Sequence, residues 1–354
     1  MKNNEKVKTS GGWTMKQIAC VKQQPVNSYK AATVRGDRRQ QHMETLLFTC
    51  CFALCMLAGC ANEEADNAGR GNEIRLTSGV VAPTRAYGYD TQIIANGKVS
   101  VWVDDRDDAS LYENNVLTAD GRGGLSGGTV MYYDSPYPVN IYAIYPATGG
   151  TTFPSDVSHE VGADQTTSAA YAASDLLFAI RKEVAATTDA VPLTFYHLLS
   201  KVEVVLKSGN GAPDLTGAVV TIENTKRQAT FRPDKNADLT QAADRDVMIG
   251  ASGSASPITI PVRITADFAA PDMQYAEAIV VPQTLAAGEA FIRVQLADGK
   301  MFAYKVPAGA PLELKSGKKY IYKLTVDLDN LIVDSRIEDW EAVGQPRTGS
   351  AFPE

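Results

Sequence analysis

A serine among glycines, two histidines and a run of aspartates are the residues whose types and spacing could do chemistry in this chain. Gly124-Leu125-Ser126-Gly127-Gly128 has the Gly-x-Ser-x-Gly spacing that presents a serine nucleophile when it sits on a sharp strand-to-helix turn. Here Gly121–Gly128 holds five glycines and runs into Val130-Met131-Tyr132-Tyr133, a strand pattern with no helix after it. The stretch therefore reads as a flexible loop between strands. The same glycines lack the Gly-Lys-Ser/Thr ending of a phosphate-binding loop. His159 and His197 are the only histidines after Cys60, with no His-x-x-x-His spacing and no cysteine pair to complete a zinc site. Asp104-Asp105-Arg106-Asp107-Asp108 offers the oxygen ligands calcium prefers. It lacks the spacing and glycine of a calcium loop, however, and carries Arg106 at its centre, so it reads as a solvated turn. No acid–base, nucleophile or metal constellation survives its context. The chain is expected to be non-enzymatic and to need no cofactor.

Tyrosines offer binding rather than catalysis. Tyr132, Tyr133, Tyr137, Tyr142 and Tyr145 fall close together in the chain. Amphipathic rings can stack on sugars or anchor a protein partner, but tyrosine is also a favoured strand residue. Tyr142 and Tyr145 have opposite strand parity and cannot form one flat platform. Core packing is the expectation for most of them. Tyr133 and Tyr137, beside the Asp134-Ser135-Pro136 turn, are the candidate ligand face.

Cys60 carries a different chemistry. It closes Leu57-Ala58-Gly59-Cys60 at the end of Leu46–Leu57, an apolar run whose only polar member is Thr49, and Arg35, Arg38 and Arg39 precede that run. Basic, apolar, then small residues is the order of an export signal, and the run is too short to span a bilayer comfortably. The tetrad resembles the lipobox of bacterial lipoproteins. That implies cleavage between Gly59 and Cys60, a lipidated thiol and anchoring in the outer membrane. All five cysteines lie at or before Cys60. The remainder therefore has no disulfide framework, thiolate metal site or cysteine nucleophile. Residues 1–33 are polar, basic and unpatterned: either Met15 or a codon near Val34 is the translation start, or the first segment is a discarded extension.

The stretch 1–59 carries nine of the chain's 34 Lys and Arg but only three of its 41 Asp and Glu. Without it the formal net charge is −13, against −7 for the whole. Such acidity argues against nucleic acid or an anionic headgroup layer as a partner. Ala61-Asn62-Glu63-Glu64-Ala65-Asp66-Asn67 and the residues to Asn72 read as a polar tether. Acidic residues behind a lipidated cysteine resemble the surface-export signal of Bacteroidetes-type lipoproteins.

Beyond the tether the pattern is β throughout: short runs rich in Val, Ile, Thr and Tyr, bounded by Gly, Pro, Asn and Asp. Ile74–Val80, Lys98–Val103, Val130–Tyr133 and Val139–Tyr145 alternate, and Ser168–Phe178 is the one helical patch in the first half. Phe195–Leu206, Ala218–Glu223, Ile258–Ile264, Glu277–Val281, Ala290–Leu296, Met301–Val306, Lys319–Asp327 and Leu331–Ile337 follow, with a turn at Gly317. The expected organisation is an all-β protein: leader 1–59, tether 60–72, and two β domains over 73–190 and 191–354.

Phe195-Tyr196-His197-Leu198-Leu199-Ser200-Lys201-Val202, Ile279-Val280-Val281-Pro282-Gln283 and Gly317-Lys318-Lys319-Tyr320 leading to Ile337-Glu338-Asp339-Trp340 occur in that order. With Pro83-Thr84-Arg85-Ala86 and the lipobox, they resemble the fimbrillin family of Bacteroidetes, the Mfa-like and FimA-like lipoprotein pilins. The resemblance implies two transthyretin-like Greek-key β-sandwich domains, and partnership with other fimbrial subunits. It also implies cleavage by a trypsin-like protease between Arg85 and Ala86, after which the strand Glu73–Val81 leaves and a strand of another subunit fills the groove. Arg75 is a second candidate cut, shielded within the strand. The tail after Trp340 departs from a good donor strand, because Gly344, Pro346, Gly349 and Pro353 interrupt it. This leaves an accessory or tip role open. The alternative is a monomeric surface lipoprotein that binds glycan or a host protein.

Overall fold

The computed structural model describes residues 71–81, 91–261 and 273–340, all within the unit Asn67–Glu354. The first elements are β1 (Leu76–Val80), β2 (Lys98–Asp104), β3 (Ser110–Ala119), β4 (Leu125–Ser126), β5 (Val139–Tyr145), β6 (Val157–Glu160), α1 (Ser168–Ser174), β7 (Leu177–Val184) and β8 (Val191–His197). All the strands except β6 form a seven-stranded sheet in the order β1-β8-β7-β5-β2-β3-β4. Within this sheet only the β1–β8 pairing is parallel.

Central strands β2 and β5 are buried on both faces, so their residues divide by parity between two cores. Val99, Val101, Val103, Ile141, Ala143 and Tyr145 face one core, with Ile74, Leu76 and Phe195. Trp102, Tyr142, Ile144 and Phe178 face the other, which continues into the second half of the chain. Tyr142 and Tyr145 therefore lie in different cores, as their spacing requires.

The rest of the chain is β9 (Ser200–Ser208), β10 (Val219–Ile222), β11 (Lys226–Phe231), α2 (Ala242–Met248), β12 (Ile249–Ala255), β13 (Ile258–Pro261), β14 (Met273–Val280), β15 (Gln283–Leu285), β16 (Ala290–Gln295), β17 (Met301–Lys305), β18 (Leu312–Leu314), β19 (Lys318–Val326) and β20 (Leu331–Asp339). Sheets β13-β10-β16-β17 and β14-β9-β19-β20 share the larger core, and β12-β11-β6 and β15-β18 border it. Gly317 has φ +65° at the turn into β19, where a Cβ would meet Arg245 Nη2 at 2.7 Å.

Four expectations need correction. Phe195–Leu206 is not one strand: Leu198 and Leu199 turn a corner, leaving β8 in the first sheet and β9 in another. A division at residue 190 would consequently cut the bonded pair β7–β8; the sheets change between His197 and Ser200. The helical patch stops at Ser174, where Asp175 turns extended, and Leu177 already belongs to β7. Val130–Tyr133 contributes only an isolated bridge, Tyr132 to Glu73, instead of a ladder strand.

Candidate functional site

β1 is the element that closes the first sheet. On one side it runs parallel to β8, with Leu76 opposite Val191 and Val80 opposite Phe195. Val191 N donates to Arg75 O at 2.7 Å and Val81 N to Phe195 O at 3.0 Å. On its other side Ser78 N donates to Gly123 O at 2.7 Å and Ile74 N to Met131 O at 2.8 Å, and Thr77 bridges Gly124. Two edges that would otherwise be open are thus joined through one short strand. Ile74, Leu76 and Ser78 point inward and are buried, while Arg75 and Gly79 point out. Burial of Ile74 and Leu76 contributes on the order of 1.5–3 kcal/mol each. Among the described residues β1 is the strand that covers this apolar floor along the seam.

Arg75 is held by its backbone, and its guanidinium donates to Thr188 O. Cys60, Gly59, Arg85 and Ala86 lie outside the described residues. Tyr133 is 2 % exposed, so it cannot serve a ligand face; burial pushes its hydroxyl above the usual tyrosine value. Tyr137 is 53 % exposed, with the Arg106 guanidinium 4.3 Å from its ring centroid. The expected pair is therefore split between core and surface.

The other chemical candidates take structural places. Leu125 and Ser126 form β4 against Ala119 and Thr118, so the glycine-flanked serine lies on a short strand, not a nucleophile elbow. Asp105 Oδ1 accepts from Asp107 N and Ala109 N, closing a turn, while Asp104 is buried and paired with Lys235. Among the described residues no group of three or more His, Cys, Asp or Glu could hold a metal ion. His159 Nε2 lies 2.9 Å from Ser174 O, and burial lowers its pKa. Above about pH 6.5, the ordinary histidine value, neither state binds this proton; below it the unfolded chain takes it up more readily than the folded site. Stability should therefore fall as pH drops from 7 towards 5.5. His159→Gln should flatten that slope in thermal melts; equal slopes for the two proteins would refute the assignment.

Sequence reasoning missed two buried polar assemblies. His197 is fully buried, with Nδ1 2.9 Å from Asp175 Oδ2 and its ring stacked on Trp340 at 3.8 Å. Strand alternation in Ser200–Ser208 leaves Lys201 and Glu203 on the face opposite Val202 and Val204. From there a ladder of alternating charge crosses the sheet. Glu277 Oε2 is 2.7 Å from Lys201 Nζ, and Lys201 is 3.3 Å from Glu203 Oε1. Glu203 is 3.6 Å from Lys319 Nζ, Lys319 is 3.7 Å from Glu338 Oε2, and Glu338 Oε1 is 3.0 Å from Arg336 Nε. Tyr275 donates its hydroxyl hydrogen to Glu277 Oε2 at 3.1 Å, and burial raises its pKa. The signal was present as two charges at alternate positions of an otherwise apolar strand; their partners are far away in sequence.

The comparisons with known proteins agree on one family. The fimbrillin-like family model matches residues 84–340. "Putative fimbrium subunit Fim1C" of Bacteroides uniformis is 26 % identical over 326 residues, covering 85 % of this chain and 96 % of that protein. Two crystal structures, each of a "putative cell adhesion protein", share the fold at 21 % identity. The one from Bacteroides ovatus has a TM-score of 0.59 and covers 78 % of this chain and 100 % of its own. The one from Bacteroides uniformis has a TM-score of 0.54 and covers 76 % and 99 %. A match over most of its length places this chain in the fimbrillin-like family, a structural, non-enzymatic family.

Proposed function

We propose that this chain is an outer-membrane lipoprotein, anchored at Cys60, that joins a surface fimbria by exchanging β1 for a strand of another subunit. In this reading the two cores belong to two transthyretin-like Greek-key sandwiches, and Arg85–Ala86 is the bond cut to release β1. The observation that carries it is the position of β1: one short strand with backbone bonds on both sides, sealing an apolar groove. An edge of that kind, once vacated, presents unpaired N–H and C=O groups and an apolar floor to an extended segment. Cys60 and β1 both precede Arg85 in the chain, so cleavage would detach the lipid together with β1. The anchor would then hold the precursor only until assembly.

Mild trypsin treatment followed by size-exclusion chromatography tests this. Loss of the segment through Arg85 with a shift to oligomers is expected, and Arg85→Ala should block both. Cleaved protein that stays monomeric would leave the alternative, a monomeric surface lipoprotein. There the exposed Tyr137–Arg106 stack is the place for a glycan or host-protein contact. Cys60→Ser should move the protein out of the membrane fraction.

A further inference from the structure

The charge ladder described above ends at Arg336, whose side chain is 47 % exposed on β20. Among the described residues no strand pairs with the outer edge of β20, a nine-residue strand at the end of its sheet. We propose that β20 is a homotypic docking edge, which pairs antiparallel with β20 of a second copy of this chain about a two-fold axis through Ser335.

Backbone bonding sets which residues face outward. Trp340 N donates to Gly317 O and Asp327 N to Asn330 O, both in the β19–β20 register. Bonded pairs alternate along an antiparallel ladder. The even-numbered residues Ile332, Asp334, Arg336 and Glu338 therefore turn their N–H and C=O towards β19. Leu331, Val333, Ser335, Ile337 and Asp339 turn theirs to the free edge.

Side chains then select the register. With the axis at Ser335, the whole of β20 overlaps its copy and the outward backbone groups meet their counterparts. Asp334 stands opposite Arg336 of the second copy, twice, and Val333 stands opposite Ile337. Moving the axis to Asp334 or to Arg336 would place identical charges directly opposite, which is destabilising. The Ser335 axis lets the ladder continue, from Arg336 to Asp334 across the seam; an axis at Ile337 would set Arg336 opposite Glu338 but overlap only Ser335–Asp339 of the strand. The Ser335 axis also covers Ile337, which is 60 % exposed in the single chain. Leu331–Asp339 contains no lysine, proline or glycine to block pairing, and its opposite charges are ordered to complement themselves. The contact is isologous and closes as a dimer, joining two four-stranded sheets into one of eight strands. It is separate from the β1 groove, which lies in another sheet, and does not depend on strand exchange.

Sedimentation velocity of the full chain in a mild detergent tests the proposal. The wild-type chain should dimerise by about 100 µM, the weak end expected of a small contact. Asp334→Arg and Arg336→Asp should each raise the dimer dissociation constant at least about tenfold, since both opposed pairs become like-charged. An equimolar mixture of the two variants should recover dimers, because every opposed pair is then Arg with Asp. Melting curves report whether each variant folds. If one does not, Ser335→Pro removes an outward N–H without touching the β19 ladder and should abolish dimers by itself. A monomeric wild-type chain, variants that dimerise unchanged, or a mixture no better than its components would overturn the idea.

Discussion

Lys201→Met is expected to cost about 3–5 kcal/mol of folding stability, the range for breaking a buried ion pair by removing one partner. Lys201 is fully buried between Glu277 and Glu203, and its ammonium lies 5.8 Å from the Tyr171 ring centroid and 5.9 Å from that of Trp340. Methionine fills much of the same volume, so packing changes little and the dominant loss is electrostatic. Glu277 would be left 2.7 Å from a missing charge, beside the Tyr275 hydroxyl that donates to it. Adding Glu277→Gln removes that stranded carboxylate, so the double variant should be more stable than Lys201→Met alone. Urea denaturation at pH 7 measures both. A loss below about 1 kcal/mol for Lys201→Met would mean that the ladder behaves as a solvated surface network.

This ladder also shows what was legible in the sequence. Alternation identified most strands, because one-face or two-face burial leaves a period of two: Lys98–Asp104 and Val139–Tyr145 read correctly for that reason. It failed where a corner has the same apolar character as the strands it joins, as at Leu198-Leu199. It failed again where pairing brings distant segments together, as when β6 joins β11. Val130–Tyr133 has strand composition, yet its neighbours are the residues just before β1 and its backbone makes only single bonds to them. Tyr133 stands beside a turn, a common place for an exposed ring, yet it packs in the same core as Ile74 and Leu76 and is buried. Asp175 and Trp340 enclose His197 from positions well before it and near the far end of the chain, and no local pattern joins them.

Leu76→Asp is expected to release β1 without a protease. Leu76 is 4 % exposed in the first core, and replacing it gives up about 1.5–3 kcal/mol of burial. A carboxylate at that position, inside this hydrophobic cluster, would also lose its hydration, which costs several kcal/mol more. A strand as short as β1 cannot offset a loss of that size through pairing, because each backbone bond contributes only about 1 kcal/mol net. Hydrogen exchange reads the outcome directly. The amides of Ser78, Ile74, Val81 and Val191, all bonded across β1, should lose protection, while those along the β9–β14 ladder keep theirs. The opened groove should then take a peptide of sequence Glu73–Val81 in trans and regain protection at Val191. The same peptide carrying the Leu76→Asp change should not bind. Retained protection at Ser78 and Val191 in the variant would show that β1 is held by more than its inward side chains, and strand exchange at this seam would lose its physical basis.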